Sequence, residues 1–498
     1  MPMRVAMLAS ECEPWAKTGG LADVVDALAR ALGDLRSDDL ETPVDVFLPR
    51  YRGMPEPSGV ERTLALRVPD PRAPSGVSPV SVIDVPADGY RLRLVDHPAA
   101  FDRDGFYGDE TGDYPDNAWR FGLFCRASLE ALRSEGRPVD VLHLHDWHTA
   151  AAAIQRDVRY GSDPIVDGAA ILLTLHNLAF HGWTPKEALG QLGLAPGDGV
   201  VAADADGIDL LLSGIERAEL VNTVSPNFAA EALTPAFGMG LDGALRAKGD
   251  RFFGILNGLD NTVWDPATDG DLAAPYSRAD RSGKAACRAD LLSRVGFDPT
   301  DDGPVIGMIG RLDPQKGFDL LSGAAPTLLA RGVRLVVQGS GHPELADPFR
   351  AIATAKPERV AFIERFDRVM ARKIYGGADL FVMPSRFEPC GQGQMMALRY
   401  GTPPIVHRVG GLADTVIDET THPGKGTGFD FTGGTVEGLL AACADATRLR
   451  AKGGPAWEGL LDRGMAVDFD WVAGAAPRYL DAYRRALEIR GRGGRLVP

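Results

Sequence analysis

The chain has 498 residues, 45% hydrophobic and 24% charged, the profile of a soluble globular protein with more residues than one core accommodates. A formal net charge of −15 argues against nucleic acid or an anionic membrane as the main partner, and no run approaches the roughly 20 apolar residues of a membrane span. Five scattered cysteines without CxxC spacing exclude a disulfide framework or zinc knuckle, and "MPMRVAMLAS" enters a strand pattern with no cleavable signal, which points to a cytoplasmic enzyme.

Short apolar runs alternate with amphipathic stretches throughout, the pattern of parallel sheets flanked by helices. In the first half the strands read "RVAMLA", "VDVFLP", "VDVLHLH", "AILLTLH" and "LVNTVS". The first leads into "KTGGLADVVDALARAL", residues 17–32, where a paired-glycine turn opens a helix. Gly19 and Gly20 permit close approach to helix N-terminal N–H groups, and Lys17 adds a point charge suited to a phosphate. The same residues also fit an ordinary strand-to-helix turn with an exposed lysine. Segment 52–90, rich in proline, reads as an irregular or β-hairpin excursion. "HLHDWH" (His143, His145, Asp146, His148) offers metal-ligand residue types, yet its Asp and Trp are transposed relative to the HxHxDH pattern of metallo-hydrolases. Polar residues at a strand end explain it better, and no metal is expected. "TLHNLAFHG" again ends a strand in polar groups, His176 and Asn177.

A second strand series follows residue 302: "PVIGMIGRL", "RLVVQGSG", "RVAFIERF", "ADLFVMPS" and "TPPIVHRVGG". Two series imply two Rossmann-like domains with ligand loops at the strands' carboxyl ends. The expected boundaries are 1–253, 254–472 and a C-terminal helix with tail at 473–498, with binding in the cleft between the domains. Arg311 and Lys316 share one loop after an apolar strand, a pairing suited to a diphosphate. Glu388 stands in a turn before a helix, beside the N–H groups near Cys390 and Gly391. There it either clamps the hydroxyls of a sugar or caps the helix.

"ECEPWAKTGGLADV", "YPDNAWRF", "HLHDWHTA", "LHNLAFHG", "TVSPNFAAEA", "GMGLDGALRAK", "GILNGLDNTVWDPATD", "GRLDPQKGFDLL", "MPSRFEPCG" and "VGGLADTV" occur in this order. Together they resemble the bacterial glycogen and plant starch synthases across nearly the whole chain. The resemblance implies a GT-B glycosyltransferase: two facing Rossmann-like domains, an interdomain catalytic cleft and a last helix crossing back onto the first domain. It also implies transfer of glucose from ADP-glucose, or alternatively UDP-glucose, to the non-reducing end of an α-1,4-glucan with retention, without a cofactor. By position, Lys17 and the Gly19–Gly20 turn approach the diphosphate, and Arg311 and Lys316 neutralise it. Glu388 with Cys390 and Gly391 holds the glucose hydroxyls; His176 and Asn177 lie near the donor sugar; Asp146 and Asn257 line the cleft. Asp23 contacts the nucleotide, and Phe366 covers the base where many relatives carry a Tyr. The sequence departs from the family at Gln392, Gly393 and Met396, at Asp26 where Gly is common, and at Arg365. Another GT-B glucosyltransferase using UDP-glucose or a different acceptor, a metal-dependent hydrolase built on "HLHDWH" and a non-catalytic glucan-binding relative are the rival readings.

Overall fold

A computed structural model describes residues 2–194 and 207–493. Two compact units partition the chain. The first takes residues up to Val224, Ala229–Gly258 and the described residues from Trp471 on; the second takes Ser225–Phe228 and Leu259–Asp470.

In the first unit the parallel strands stand in the order Phe252–Gly254, Leu220–Thr223, Ala170–Leu175, Val141–His145, Val5–Leu8, Val44–Pro49, Tyr90–Asp96. The order reverses between Val5–Leu8, the first strand in the chain, and Val141–His145. Strands such as Val5–Leu8 and Ala170–Leu175 are buried at every residue, which is why they read as continuous apolar runs instead of alternating ones. The proline-rich excursion is an antiparallel hairpin, Arg62–Pro69 with Val77–Pro86, added at the edge of this sheet.

The second unit holds a six-stranded parallel sheet ordered Val360–Ile363, Arg334–Gly341, Val305–Leu312, Leu380–Met383, Pro404–His407, Phe429–Phe431. By place in the chain this is the doubly wound Rossmann order, reversing between Val305–Leu312 and Leu380–Met383. Phe318, Leu335, Val337, Leu380 and Ile405 belong to its apolar core.

Several strands are shorter than their apolar runs. In "RVAFIERF" only Val360–Ile363 pairs. Arg365 and Phe366 lie in the loop before helix Arg368–Gly377, whose N-cap Asp367 accepts the Met370 N–H at 3.0 Å. "TPPIVHRVGG" pairs only over Pro404–His407, because Gly410 already begins the helix Gly410–Thr415. The short edge strands Phe252–Gly254 and Phe429–Phe431 carry too few residues to show a pattern.

The break between units falls after Gly258, not after Phe253 as the expected boundary had it. Phe252–Gly254 pairs with the first sheet, and the Ile255 N–H continues that pairing to the Thr223 carbonyl at 2.8 Å. The chain rejoins the first unit at Trp471, two residues before the expected 473. Trp471 is buried in a π-helical turn, Trp471–Ala475, that packs on helix Gly20–Asp34. Helix Ala476–Gly493 then lies against strand Ala170–Leu175. The expected tail "RGRGGRLVP" ends outside the described residues. Among those residues no helix is long and apolar enough to cross a membrane.

Candidate active site

In an open α/β sheet, ligands bind beyond the carboxyl ends of the strands where the strand order reverses. Each unit carries a polar constellation at that point.

In the first unit the loop after Val5–Leu8 is organised by Glu11, which is only 4% exposed. Its carboxylate accepts the Thr18 N–H at 2.5 Å, the Thr18 hydroxyl at 2.6 Å, the Gly19 N–H at 3.1 Å and the Tyr107 hydroxyl at 2.6 Å. Helix Gly20–Asp34 therefore starts at a fixed place, with Gly19 as N-cap and no side chain capping it. A Cβ built on Gly19 or Gly20 meets nothing within 4 Å. These glycines leave an open approach to the helix N-terminus instead of relieving a tight contact. Lys17 Nζ lies 2.5 Å from Asp23 and 3.5 Å from Glu13, on a side chain 42% exposed. Lys17 and Asp23, separately assigned to the donor, thus form an ion pair with each other. Burial raises the Asp23 carboxyl against the opposing pull of Lys17.

Across the reversal, strand Val141–His145 passes directly into helix Asp146–Arg159. This transition splits "HLHDWH". His143 and His145 point into the sheet's buried interior, whereas His148 packs its ring against Trp147 at 4.0 Å and Tyr107 at 4.6 Å. Among the described residues no group of three or more His, Cys, Asp or Glu side chains is placed to hold a metal ion. Three members of the motif have other hydrogen-bond partners: His143 contacts Thr174 and Tyr483, His145 Nδ1 lies 2.9 Å from His176 Nε2, and Asp146 accepts the His176 N–H at 2.7 Å. Loss of hydration pushes the His176 and His148 imidazoles down to about 3, so both are neutral at physiological pH. Asn177 accepts the Ala179 N–H at 3.0 Å, and buried Asn257 has an Oδ1 without a hydrogen-bond partner.

Asp146 combines a backbone φ of 56° with burial, which pushes its carboxyl up to about 7; the charge on Glu11 adds to the rise against two backbone N–H bonds. A raised acid pKa favours the folded state below the unfolded value and loses that contribution as pH rises through the folded one. Asn tolerates the same backbone region and keeps the acceptor for His176. Asp146→Asn should therefore melt above the parent at about pH 8, with the margin closing towards about pH 4. Paired thermal melts across that range test this; an unchanged margin would show that Asp146 carries no buried charge.

In the second unit, the strand Val305–Leu312 ends in Arg311 and Leu312 and is followed by a 3-10 turn, Pro314–Lys316. Asp313 caps this turn by accepting the Gln315 N–H at 2.8 Å. Gly317 closes it at φ 69°, where a Cβ would stand 2.2 Å from the Pro384 carbonyl oxygen. The turn brings Lys316 Nζ to 2.6 Å from Glu388 Oε2, which also accepts the Ser385 hydroxyl at 2.9 Å. Glu388 is 5% exposed and, with Lys316, Ser385 and Gly391, lines a pocket of about 140 Å³. Arg311 is exposed and makes no ion pair among the described residues. Glu388 does not cap the next helix, which begins at Gly393 with Gln392 as N-cap. Its backbone is instead held by the second glycine pair: the Gly411 N–H donates to the Glu388 carbonyl at 3.0 Å, and a Cβ on Gly410 would lie 1.9 Å from that oxygen. Phe366 is 77% exposed. Cys390 is buried, and Gln394 bonds its carbonyl and that of Gly391, each at 3.1 Å.

Sequence reasoning passed over Glu11, Tyr107 and Ser385, and it considered His145 only as a metal ligand. Glu11 had a visible signal, a carboxylate at a strand end six residues before Lys17. Tyr107 and Ser385 had none, since their roles depend on partners that folding supplies. Of the departures, Asp26 pairs with Arg30 at 2.6 Å and accepts the Tyr90 hydroxyl at 3.1 Å, while Met396 packs against the apolar cluster of Tyr375, Phe381 and Tyr400.

Residues 4–247 match the family described as starch synthase catalytic domain, and residues 303–448 match the one described as glycosyl transferases group 1. With two Rossmann-type sheets and a polar site at each reversal point, the chain is a glycosyltransferase of the GT-B class. It is 40% identical over 495 residues to the glycogen synthase of Syntrophotalea carbinolica, covering 98% of this chain and 99% of that one. It is 41% identical over 500 residues to that of Anaeromyxobacter dehalogenans strain 2CP-C, covering 97% and 99%. The solved catalytic domain of starch synthase IV from Arabidopsis thaliana, bound to ADP and acarbose, matches with a TM-score of 0.87 at 32% identity over 98% of this chain and 100% of that one. The chain belongs to the glycogen and starch synthase family.

Proposed function

We propose that the chain transfers glucose from ADP-glucose to the non-reducing end of an α-1,4-glucan with retention at the anomeric carbon. The observation that carries the reading is the second unit's reversal point, where buried Glu388 meets Lys316 at a small pocket while Arg311 is exposed and makes no ion pair among the described residues. The bond from the anomeric carbon to the donor phosphate breaks, one to a glucan hydroxyl oxygen forms on the same face, and the hydroxyl proton passes to the departing phosphate oxygen. Negative charge grows on the departing diphosphate, and prealigned cations stabilise that charge most. Arg311 and Lys316 supply this in the second unit; in the first, Lys17 and the open Gly19–Gly20 helix end are likewise suited to an anion.

Glu388 grips glucose hydroxyls as an acceptor, with Cys390 and Gly391 beside it. His176 contacts the donor sugar, with Asp146, Asn177 and Asn257 around it, and Asp23 contacts the nucleotide. Phe366 offers a bare ring to the base. The ADP in the Arabidopsis starch synthase structure supports an adenine nucleotide as leaving group.

The test is incorporation of labelled glucose into glycogen from ADP-glucose and from UDP-glucose, in the presence of EDTA. Faster incorporation from ADP-glucose is expected. Preference for UDP-glucose would overturn the donor, incorporation from neither would overturn the transfer, and restoration only by magnesium or zinc would overturn the role of the two cations.

A further inference from the structure

We propose that a buried histidine sets the proton arrangement at the active site: His145, its ring backed by His143, holds His176 in the tautomer that presents its Nδ1–H to the donor sugar. The inference rests on the reading of His176 as a donor-sugar contact and adds His145 as a positioning residue.

The Asn222 amide sets the direction of the hydrogen bonds around His143: its Nδ2 faces the Thr223 carbonyl at 3.4 Å, which leaves Oδ1 toward Thr174. Asn222 Oδ1 accepts only, so Thr174 gives it its hydroxyl proton at 2.7 Å. Thr174 Oγ1 then accepts at 2.7 Å from His143 Nε2, which must carry a hydrogen. His143 Nδ1 is left with a lone pair, and the Tyr483 hydroxyl donates to it at 2.9 Å. The Asn222 amide N–H turns back to the Tyr479 hydroxyl on the same helix at 3.4 Å. His143, Thr174, Asn222, Tyr479 and Tyr483 are all fully buried.

Locked in this way, the His143 ring backs His145, with ring centres 4.2 Å apart. His145 Nε2 is buried without a hydrogen-bond partner among the described residues. An orphaned N–H there is rarer and more costly than an orphaned lone pair, so the proton of His145 sits on Nδ1. That atom faces His176 Nε2 at 2.9 Å and donates to it. His176 must then carry its own proton on Nδ1, which makes no hydrogen bond among the described residues, on a ring that is only half-buried. Burial keeps all three imidazoles neutral, which one-proton bookkeeping requires. The active-site histidine thus offers an N–H, suited to a sugar oxygen.

The test uses the full chain labelled with nitrogen-15 at histidine, with His176→Gln to assign the His176 signals. In the parent, His176 is expected to be protonated at Nδ1 and bare at Nε2. His145→Phe removes the donor that faces His176 Nε2 and keeps a flat ring. It should populate a second His176 tautomer and lower kcat about tenfold, with the donor KM within about twofold of the parent. A parent His176 protonated at Nε2 overturns the proposal whether or not the variant folds. So does a variant that melts earlier while its tautomer and kcat stay unchanged. The tautomer readout needs no turnover, so a parent that transfers no glucose would defeat the functional reading separately.

Discussion

Arg311→Ala is expected to lower turnover by about 100-fold or more while the donor KM changes far less. Arg311 stands at the end of an apolar strand, is exposed, and is engaged by no carboxylate among the described residues. It contributes little to folding, and its charge is available to a ligand. In the proposed reaction the leaving diphosphate gains charge only as the sugar–phosphate bond breaks, so a cation facing it stabilises the transition state more than the bound donor. Steady-state kinetics with ADP-glucose and a thermal melt of the same variant make the check. The melting temperature should stay close to the parent's, as for an exposed surface substitution. A variant that kept its turnover and lost only donor affinity would show Arg311 to be a ground-state contact.

Glu388→Ala should fail differently, losing donor affinity and turnover together, with kcat/KM down by about 1,000-fold. The carboxylate is held by Lys316 and by the Ser385 hydroxyl, and its backbone by Gly411, so its acceptor oxygens are prealigned before any sugar arrives. In the proposed reaction it therefore acts on hydroxyls already present in the ground state as well as orienting the anomeric carbon. Its loss also frees Lys316, but that side chain lines a pocket open enough to hydrate the ammonium. The melting temperature should move by only a few degrees, about 2–4 °C for a unit of this size. Glu388→Gln keeps an acceptor without the charge and should fall between parent and Ala. Near-parental kinetics with much earlier melting would mean that Glu388 is a structural partner of Lys316 and nothing more.

Much of this protein is legible along the chain because the relevant forces act over a few residues. Continuous apolar runs mark doubly buried strands, and paired glycines mark the turns that follow them. From these alone came two Rossmann-like series and loops bearing Lys17, His176, Arg311, Lys316 and Glu388. Where edges are short, as at Phe252–Gly254, too few residues remain to show a period, and the unit boundary was set five residues early.

Contacts between distant strands were not legible. Lys316 and Glu388 stand 72 residues apart and meet because the first and fourth strands of the second sheet are neighbours. That adjacency also removes the cap reading for Glu388, whose carboxylate is engaged by Lys316 and Ser385 while Gln392 stands at the N-cap. Glu11 gathers four donors only once Tyr107, 96 residues on, is folded beside it. His143 and Tyr483 are separated by 340 residues. The motif "HLHDWH" specifies ligand-grade side chains, but the strand-to-helix transition at Asp146 sends them to different partners. Local sequence sets which residues stand at strand ends. Strand order, fixed by how the connections bury the whole sheet, sets which of those ends face each other.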